Sequence, residues 1–306
     1  MKHLTSLFDL TPDEVGEILS VATRLKGELR EGRRTPLLAG RVLTLIFDKP
    51  SLRTRMSFEA AIMQLGGSSL FFSSKEAGLK GRESLSDVAR VMSGYCDAVV
   101  VRTFSQQLIE DLARCSRCPV INGLSDDRHP CQALADVLTI QETFRDLTGR
   151  RLVYIGDGNN VAASLAIVAA QLGVPMTVCT HPDFALAVSF LDDLRQRYPT
   201  ADIAAVTDPA EAVRDADVIY TDVWASMGQE SEAETRKTIF APYQINADLM
   251  AAAPEHCRFM HCLPAHRGTE VTDEVMDGPQ SIVFEQAENR MHLSKGLLVW
   301  LLDKNS

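Results

Sequence analysis

Short apolar runs alternate along this chain with segments in which apolar residues recur at helical spacing. In the first half, the apolar runs predict β-strands at residues 42–47, 69–72, 98–102 and 120–122. The first periodic segment opens with a capping box at Thr11 and Glu14. Helices are predicted at 13–29, 56–65, 83–95, 106–115 and 130–144. Apolar strands separated by helices are typical of a parallel sheet with helices on both faces.

The second half repeats this alternation. Strands are predicted at 152–155, 176–179, 202–205, 218–221 and 259–261, and the clearer helices at 161–172, 184–198 and 286–302. The pattern therefore predicts an α/β protein with two doubly wound domains of mostly parallel strands. We expect the domains to be residues 1–145 and 146–306, joined by helices, with ligands bound in a cleft at the carboxyl ends of the strands.

Composition narrows the class of protein. The 306 residues contain no apolar run of about 18 residues and no signal-like start, so we expect a cytoplasmic protein. The net charge of −10 argues against nucleic acid or an anionic membrane as a partner. Any anion site must then be a local cluster of arginines. Seven scattered cysteines are interpreted as reduced thiols, without zinc or redox use of Cys115 and Cys118.

The segment KPSLRTRMSFE, residues 49–59, combines a strand end with a helix start. Pro50 ends the predicted strand, and an amphipathic helix follows. Backbone N–H groups and the helix dipole favour an anion at such a position. Two hydroxyls and two guanidinium groups add a cradle for a phosphate-like oxyanion, and they belong to Ser51, Arg53, Thr54 and Arg55. The simpler alternative is a solvated basic helix start.

Polar residues also open the helix predicted at 130–144. Pro130 suits the first helical position, which places His129 and Gln132 in the first turn, facing the same way. An imidazole there can polarise a carbonyl oxygen, and an amide can both donate and accept a hydrogen bond. The alternative is a histidine that merely caps the helix.

Residues 156–160, GDGNN, follow a predicted strand and begin a helix, as dinucleotide-binding loops do. Val161 stands where the third glycine of that motif belongs, and the next strand ends at His181 without an acidic residue for a ribose. NAD is therefore not expected to bind. Asn159 and Asn160 instead offer amide groups that suit an amino-acid-like ligand.

Further polar groups follow two later strands and open the last helix. Asp222 and Ser226 suit a zwitterion, with the ammonium on the carboxylate and the ligand carboxylate on the hydroxyl; an ordinary turn is the alternative. Cys262 is expected to pack or to hydrogen-bond rather than to attack covalently. The spacing of residues around it does not support a metal site. Arg290 adds a cation at the last helix.

Five motifs, SLRTR, HPCQ, DVWASMG, HCLP and AENR, occur in this order along nearly the whole chain. In them the chain resembles the aspartate/ornithine carbamoyltransferase family, most closely its ornithine-using branch. The resemblance implies two α/β domains, with the last helix, about 286–303, returning to the first. It implies a homotrimer, with further assembly of trimers open, and active sites shared between subunits. The implied reaction is direct transfer of the carbamoyl group of carbamoyl phosphate to the δ-amine of L-ornithine through a tetrahedral oxyanion, without a metal or organic cofactor.

The resemblance also implies roles for individual residues. Phosphate binding is implied for Ser51, Leu52, Arg53, Thr54 and Arg102. The carbamoyl group would be held by His129, Gln132, Cys262, Leu263 and Arg290. Ornithine would contact Asn160, Asp222, Ser226 and Met227. The groups expected to act in catalysis are Arg53, Thr54, His129, Asp222, Cys262 and Arg290.

Two positions depart from the family pattern. Leu52 stands where the family usually has threonine, which matters little if the position acts through its backbone N–H. The loop before Glu83 usually sends a His or Gln into the phosphate site of the neighbouring subunit, whereas this sequence has Gly78 there. Lys80 or Arg82 is the candidate replacement.

Other hypotheses stay open on sequence alone. Putrescine as acceptor lacks the carboxylate that Ser226 would bind, and an N-acylated ornithine lacks the α-amine that Asp222 would bind. From other classes, the alternatives are a catalytically silent paralogue that binds small anions, and a dehydrogenase.

Overall fold

Two parallel sheets organise the residues that the computed structural model describes, namely 1–78, 83–226 and 228–305. The first sheet contains β1 (Val42–Phe47), β2 (Ser68–Ser73), β3 (Ala98–Arg102) and β4 (Val120–Leu124). The second contains β5 (Leu152–Ile155), β6 (Met176–Cys179), β7 (Ile203–Val206), β8 (Val218–Thr221) and β9 (Arg258–His261). Their strand orders are β2-β1-β3-β4 and β7-β6-β5-β8-β9, and all neighbouring strands are parallel.

Helices connect these strands, because parallel neighbours need long crossover connections. The first half has α1 (Pro12–Arg30), α2 (Leu52–Gln64), α3 (Leu85–Met92), α4 (Gln106–Cys115) and α5 (Pro130–Phe144). The second half has α6 (Asn160–Leu172), α7 (Val188–Arg197), α8 (Pro209–Ala212), α9 (Ala233–Phe240), α10 (Ala247–Ala251), α11 (Asp273–Met276) and α12 (Val283–Lys304). Among the described residues, none of these helices combines the length and the apolar character that crossing a bilayer requires.

The chain divides into two compact units. One comprises Met1–Leu138 with Glu288–Ser306, and the other comprises Thr139–Ala287. The first unit contains the sheet β1–β4, and the second contains the sheet β5–β9. The chain passes from one unit to the other within α5 and returns within α12. The predicted fold class, with two doubly wound and mostly parallel domains, is confirmed.

The last helix packs against α1 inside the first unit, as predicted. Trp300 Nε1 donates a hydrogen bond to Glu17 Oε2 at 2.6 Å, and Lys26 Nζ donates to Asn289 Oδ1 at 2.6 Å. Between these two contacts, Gly296 lies directly on the α1 backbone. The C-terminal helix therefore packs on α1 through one close approach of two helices, flanked by polar contacts.

Most predicted elements are present, and their ends differ for local reasons. Helix α2 begins before the predicted position 56, because Ser51 caps it by accepting a hydrogen bond from the Thr54 N–H. Helix α3 begins at Leu85 rather than 83, after a cap by Ser84. The helix predicted at 184–198 is a 3₁₀ turn, Pro182–Phe184, followed by α7. Helices α8 to α11 were not predicted, since segments of four to eight residues carry too little periodicity.

Replacing Gly296 by alanine tests the helix contact. A Cβ at this position would lie 2.7 Å from the Ala22 nitrogen and 2.8 Å from the Ile18 carbonyl oxygen. Because these are backbone atoms of α1, Gly296→Ala is expected to lower the free energy of unfolding by about 1–3 kcal/mol. Urea denaturation measures the change.

Gly16→Ala is the matched control in α1. A Cβ there meets no atom within 4 Å, so the free energy of unfolding is expected to stay constant or to rise by up to about 1 kcal/mol. Equal stability of the Gly296→Ala variant and the unmodified protein would contradict the close approach.

Candidate active site

Two guanidinium groups meet one hydroxyl at the N-terminus of α2, inside the first unit. Thr54 is buried there, in the first turn after the Ser51 cap. Its Oγ1 accepts a hydrogen bond from Arg290 Nη2 at 3.1 Å and one from Arg102 Nη1 at 3.4 Å. Arg102 is the last residue of β3, and Arg290 lies on α12. The structure thus brings together predicted residues from three separate elements at a helix terminus suited to an anion.

The first turn of α5 borders the same cluster. Arg290 Nη1 donates to Gln132 Oε1, and Gln132 Nε2 donates to Asp136 Oδ1 at 2.8 Å. His129, just before the helix, is almost fully buried. Burial lowers the pKa of His129 well below its usual value, and the positive charges of Arg290 and Arg102 lower it further. A neutral imidazole with one donor and one acceptor nitrogen results.

The other predicted residues of α2 differ in their placement. Arg53 is half-buried in the first turn. The Leu52 side chain is 69% exposed, so what this position offers an anion is its backbone N–H. Arg55 instead pairs with Glu59 at 3.1 Å and lies over the ring of Phe71. The two guanidinium groups gathered at Thr54 are therefore those of Arg102 and Arg290, and Arg55 is held elsewhere.

The carboxylate of Asp222, which directly follows β8, accepts hydrogen bonds from several segments of the second unit. Asp222 is buried, and its Oδ1 accepts hydrogen bonds from the Val223 N–H at 2.8 Å and from Cys262 Sγ at 2.9 Å. Its Oδ2 accepts from Asn159 Nδ2 at 2.8 Å. Asn160, the first residue of α6, is half-buried. Asp222, Cys262 and the start of α6 are thus brought together, as expected for strand ends in one parallel sheet.

The residues around Cys262 are fixed by a buried histidine. His261 Nδ1 accepts a hydrogen bond from the Leu263 N–H at 2.9 Å, and His261 Nε2 lies 3.3 Å from Glu270 Oε1. Both His261 and Glu270 are fully buried. Leu263 adopts the left-handed conformation with φ of 57°, which is uncommon outside glycine. The hydrogen bond to His261 holds this turn in place.

Two predicted contacts involve residues outside the described part of the chain. Met227, expected to contact ornithine, lies outside the described residues, as do Lys80 and Arg82, the candidates for the neighbour-subunit contact. Ser226 is half-buried, and its backbone N–H donates to Gln229 Oε1 at 3.0 Å.

Comparison with known proteins decides the family. The family model for the aspartate/ornithine carbamoyltransferase carbamoyl-P binding domain matches residues 2–142. The model for the Asp/Orn binding domain of the same family matches residues 148–301. The chain belongs to the aspartate/ornithine carbamoyltransferase family. The resemblance found in the motifs is thereby confirmed.

Relatives of this carbamoyltransferase family member match it over nearly its whole length. The ornithine carbamoyltransferase of Bacillus thuringiensis subsp. konkukian is 50% identical over 304 residues, which is 98% of this chain and 94% of that protein. The one from Anoxybacillus flavithermus is 47% identical over 303 residues, 98% of this chain and 96% of that protein. The solved ornithine carbamoyltransferase from Pyrococcus furiosus has a TM-score of 0.95 at 46% identity, covering 99% of this chain and 97% of that one.

In this carbamoyltransferase family member, the dinucleotide-like loop 156–160 has a packing explanation. A Cβ at Gly158 would lie 2.5 Å from the Phe184 carbonyl oxygen and 2.8 Å from the Leu186 nitrogen. The backbone of the loop therefore approaches a neighbouring segment too closely for any side chain. This glycine is accounted for without a nucleotide.

One buried ion pair beside the DVWASMG segment was not predicted. Arg236 Nη1 donates to Asp157 Oδ2 at 2.8 Å and to the Trp224 carbonyl at 3.1 Å, and the guanidinium lies over the Phe184 ring. Burial raises the pKa of Asp157 to about 6, and Arg236 acts in the opposite direction. Asp157 and Arg236 are 79 residues apart, so no local spacing signals their contact. Together they fix the backbone near Ser226.

Three possible metal-donor atoms also come close in the second unit. The donor atoms of Asp222, His261 and Cys262 lie within 4.8 Å of one another. The Cys262 thiol already donates to Asp222, and both ring nitrogens of His261 have partners in Leu263 and Glu270. A cation would have to displace these hydrogen bonds. The expectation that no metal is needed stays a prediction.

Acid is expected to destabilise the protein through His129. Below about pH 6.5 an unfolded chain protonates this histidine, while burial keeps it neutral in the folded state. The unfolded state then binds more protons, so the free energy of unfolding falls with falling pH, by at most about 1.4 kcal/mol per pH unit for this group. His129→Gln is expected to flatten the pH dependence measured by urea denaturation.

Comparing the His129→Gln variant with the unmodified protein reports on His129 alone. Burial also lowers the pKa of His3 and of His292, but both remain in the variant and in the unmodified protein. Parallel pH curves for the two proteins would contradict a buried neutral His129.

Proposed function

We propose that this protein transfers the carbamoyl group of carbamoyl phosphate to the δ-amine of L-ornithine, giving L-citrulline and phosphate. The observation that carries the proposal is the convergence of Arg102 and Arg290 on the Thr54 hydroxyl at the start of α2. Guanidinium forks and a helix N-terminus are both suited to phosphate oxygens. In a chain of net charge −10, such a concentration of buried cations favours a small anionic substrate.

The roles of the first half are proposed on this basis. Residues 1–145 bind carbamoyl phosphate, with help from Arg290 on the last helix. The phosphate contacts Ser51, the Leu52 backbone, Arg53, Thr54 and Arg102. The carbamoyl group contacts His129, Gln132, Arg290, Cys262 and the Leu263 carbonyl. The guanidinium donors at Thr54 suit the charged phosphate, and the neutral imidazole of His129 suits the polar carbamoyl carbonyl.

Residues 146–306, apart from the last helix, bind ornithine in this proposal. Asp222 takes the ammonium group, and Asn160, Ser226 and Met227 contact the rest of the amino acid. An ionised carboxylate has about four acceptor positions. Asp222 uses three of them for Val223, Cys262 and Asn159, which leaves acceptor capacity for a cationic ligand.

The chemistry is a direct attack. The neutral δ-amine adds to the carbamoyl carbon and forms a tetrahedral oxyanion, which collapses as the C–O bond to phosphate breaks and the extra proton on the amine nitrogen passes to the departing phosphate. Donors from Thr54, His129 and Arg290 stabilise the oxyanion and the departing phosphate, with Arg53 on the phosphate side. Asp222 and Cys262 orient the amine, which makes the attack effectively unimolecular. No covalent enzyme intermediate is required.

Phosphate release from carbamoyl phosphate tests the proposal directly. The purified protein is assayed with L-ornithine, putrescine, N-acetylornithine and aspartate as acceptors, and citrulline is quantified in parallel. We expect turnover selective for L-ornithine with equal amounts of phosphate and citrulline, because N-acetylornithine lacks the α-ammonium group that Asp222 would bind and putrescine lacks the carboxylate that Ser226 would bind.

The Arg290→Gln variant shows whether the measured turnover comes from the proposed active site. Removing a donor to the oxyanion is expected to lower the rate by about 10²–10³. Selective turnover with putrescine or N-acetylornithine would reassign the acceptor. The absence of turnover with every amine would sink the proposal in favour of a silent anion-binding paralogue.

We further propose a homotrimer in which the face formed by α2 and β2 contacts another subunit. Along α2, three apolar side chains are more than half exposed, Leu52 at 69%, Met56 at 59% and Met63 at 66%. On β2, an edge strand of the sheet, Leu70 and Phe72 are exposed as well. Contiguous apolar surface beside an open sheet edge is typical of a protein–protein interface.

A cytoplasmic location is part of the same proposal. All seven cysteines are free thiols, buried or half-buried. Free thiols in this number suit a reducing compartment better than an oxidising one.

Met56→Glu is expected to break the trimer, because a charge buried at an apolar interface without a partner is strongly unfavourable. Light scattering coupled to gel filtration should show a smaller particle, with activity lost because the active sites are shared. Val188→Glu on α7, which changes a side chain that is 73% exposed in the second unit, is the matched control and should leave the mass unchanged. An unchanged trimer in the Met56→Glu variant would place the interface elsewhere.

A further inference from the structure

The amide group of Asn159 is held in one orientation. Its Oδ1 accepts hydrogen bonds from the Val161 N–H at 2.9 Å, the Ala162 N–H at 3.2 Å and the Tyr154 hydroxyl at 3.2 Å. The two backbone N–H groups can only donate, so exchanging the oxygen and nitrogen positions would lose both of these hydrogen bonds. The amide nitrogen must therefore face Asp222, whose Oδ2 lies 2.8 Å away.

Tyr154 is suited to remain a donor. The side chain is fully buried and stacks on Tyr220, with ring centroids 5.8 Å apart. Burial, and then the charge of Asp222, raise the pKa of the Tyr154 hydroxyl well above its usual value. The phenol therefore keeps its proton and continues to donate to Asn159.

The result is a chain of fixed groups that ends at a carboxylate. Asn159 holds Oδ2 of Asp222, while Val223 and Cys262 hold Oδ1. Each oxygen of the carboxylate thus has a donor from a different part of the second unit. Removing the amide donor would free the carboxylate to rotate toward its remaining partners.

We propose that Asn159, supported by Tyr154, is a positioning residue that orients the Asp222 carboxylate for the amine-bearing substrate. The inference rests on the proposed function, in which Asp222 binds ornithine. Asn159 acts through Asp222 and is distinct from its neighbour Asn160, which is proposed to contact the substrate itself. The amide is suited to this role because it accepts from the helix start on one side and donates to a carboxylate on the other.

The Asn159→Asp variant keeps the helix cap but removes the hydrogen bond that the amide donates to Asp222. The introduced carboxyl group still accepts from the start of α6 and from Tyr154, and aspartate caps helices as well as asparagine does. It cannot donate to Asp222 when ionised, and it places a like charge beside it. We expect the KM for L-ornithine to rise about tenfold to hundredfold, with the KM for carbamoyl phosphate changed less than about twofold.

Asn246→Asp is the matched control. Asn246 caps α10 in the same unit, with Oδ1 accepting from the Leu249 N–H at 3.0 Å, so the same replacement is made at a helix start remote from Asp222 in sequence. Both KM values are expected to stay unchanged. Thermal unfolding of the two variants shows whether the caps are preserved.

A pH series adds a response that a purely structural role would not give. Two adjacent carboxyl groups retain a shared proton more readily as the pH falls, and a protonated group can donate as the amide does. The ratio of ornithine KM values, Asn159→Asp over unmodified protein, is therefore expected to shrink from about pH 8 to about pH 6. The ionisable groups nearby, namely Asp157, His261, Cys262 and Tyr154, are present in both proteins and enter both measurements.

Tyr154→Phe is a second variant that keeps the test decisive if Asn159→Asp folds poorly. It removes one of the three donors that orient the amide, and a rise of about twofold to tenfold in the ornithine KM alone is expected. Unchanged ornithine KM values in both variants, or equal rises for both substrates, would overturn the positioning role. Lack of turnover by the unmodified protein would instead overturn the proposed function, and the positioning role with it.

Discussion

The first unit is built around two positive charges that are buried side by side. Arg102 and Arg290 both reach the Thr54 hydroxyl and are less than one-tenth exposed. Buried like charges repel and lose hydration, so the surrounding groups must hold them in place. The cap of α2, the end of β3, the first turn of α5 and the last helix all supply that support. A phosphate-bearing substrate, in the proposed function, provides the opposite charge that this arrangement suits.

The second unit contains a buried carboxylate, Asp222, where the first contains buried arginines. The hydrogen-bond partners of Asp222 are a backbone N–H, an amide and a thiol, and the nearby cation Arg236 is paired with Asp157. Neutral donors fix the direction of the carboxylate without pairing its charge. In the proposed function, an ammonium group on the substrate is the matching ligand. On that proposal, the first unit offers positive charge to the phosphate, and the second offers a carboxylate to the ammonium group.

Most of the fold could be predicted from local sequence, but only part of the candidate site could. Strands, long helices and the cap at Thr11 follow from periodicity and from side chains within four residues, which a linear sequence displays, whereas the Ser51 cap of α2 was not predicted. Contacts such as His261 with Glu270, or Asp157 with Arg236, depend on how strands and loops pack. Arg55 illustrates the difference: its motif suggested an anion ligand, whereas its guanidinium lies over the ring of Phe71 on β2. Family motifs recovered long-range partners such as Arg290 only because the resemblance supplied them.

The position of Arg290 in the sequence determines when, during synthesis, the cluster at Thr54 can be completed. Thr54 and Arg290 are 236 residues apart, although they are hydrogen-bonded in the folded protein. Domains emerge from the ribosome and begin to fold from the N-terminus. The first sheet is therefore synthesised long before the arginine that completes its cluster. The hydrogen bond from Arg290 to Thr54 can therefore form only after the last helix has been synthesised.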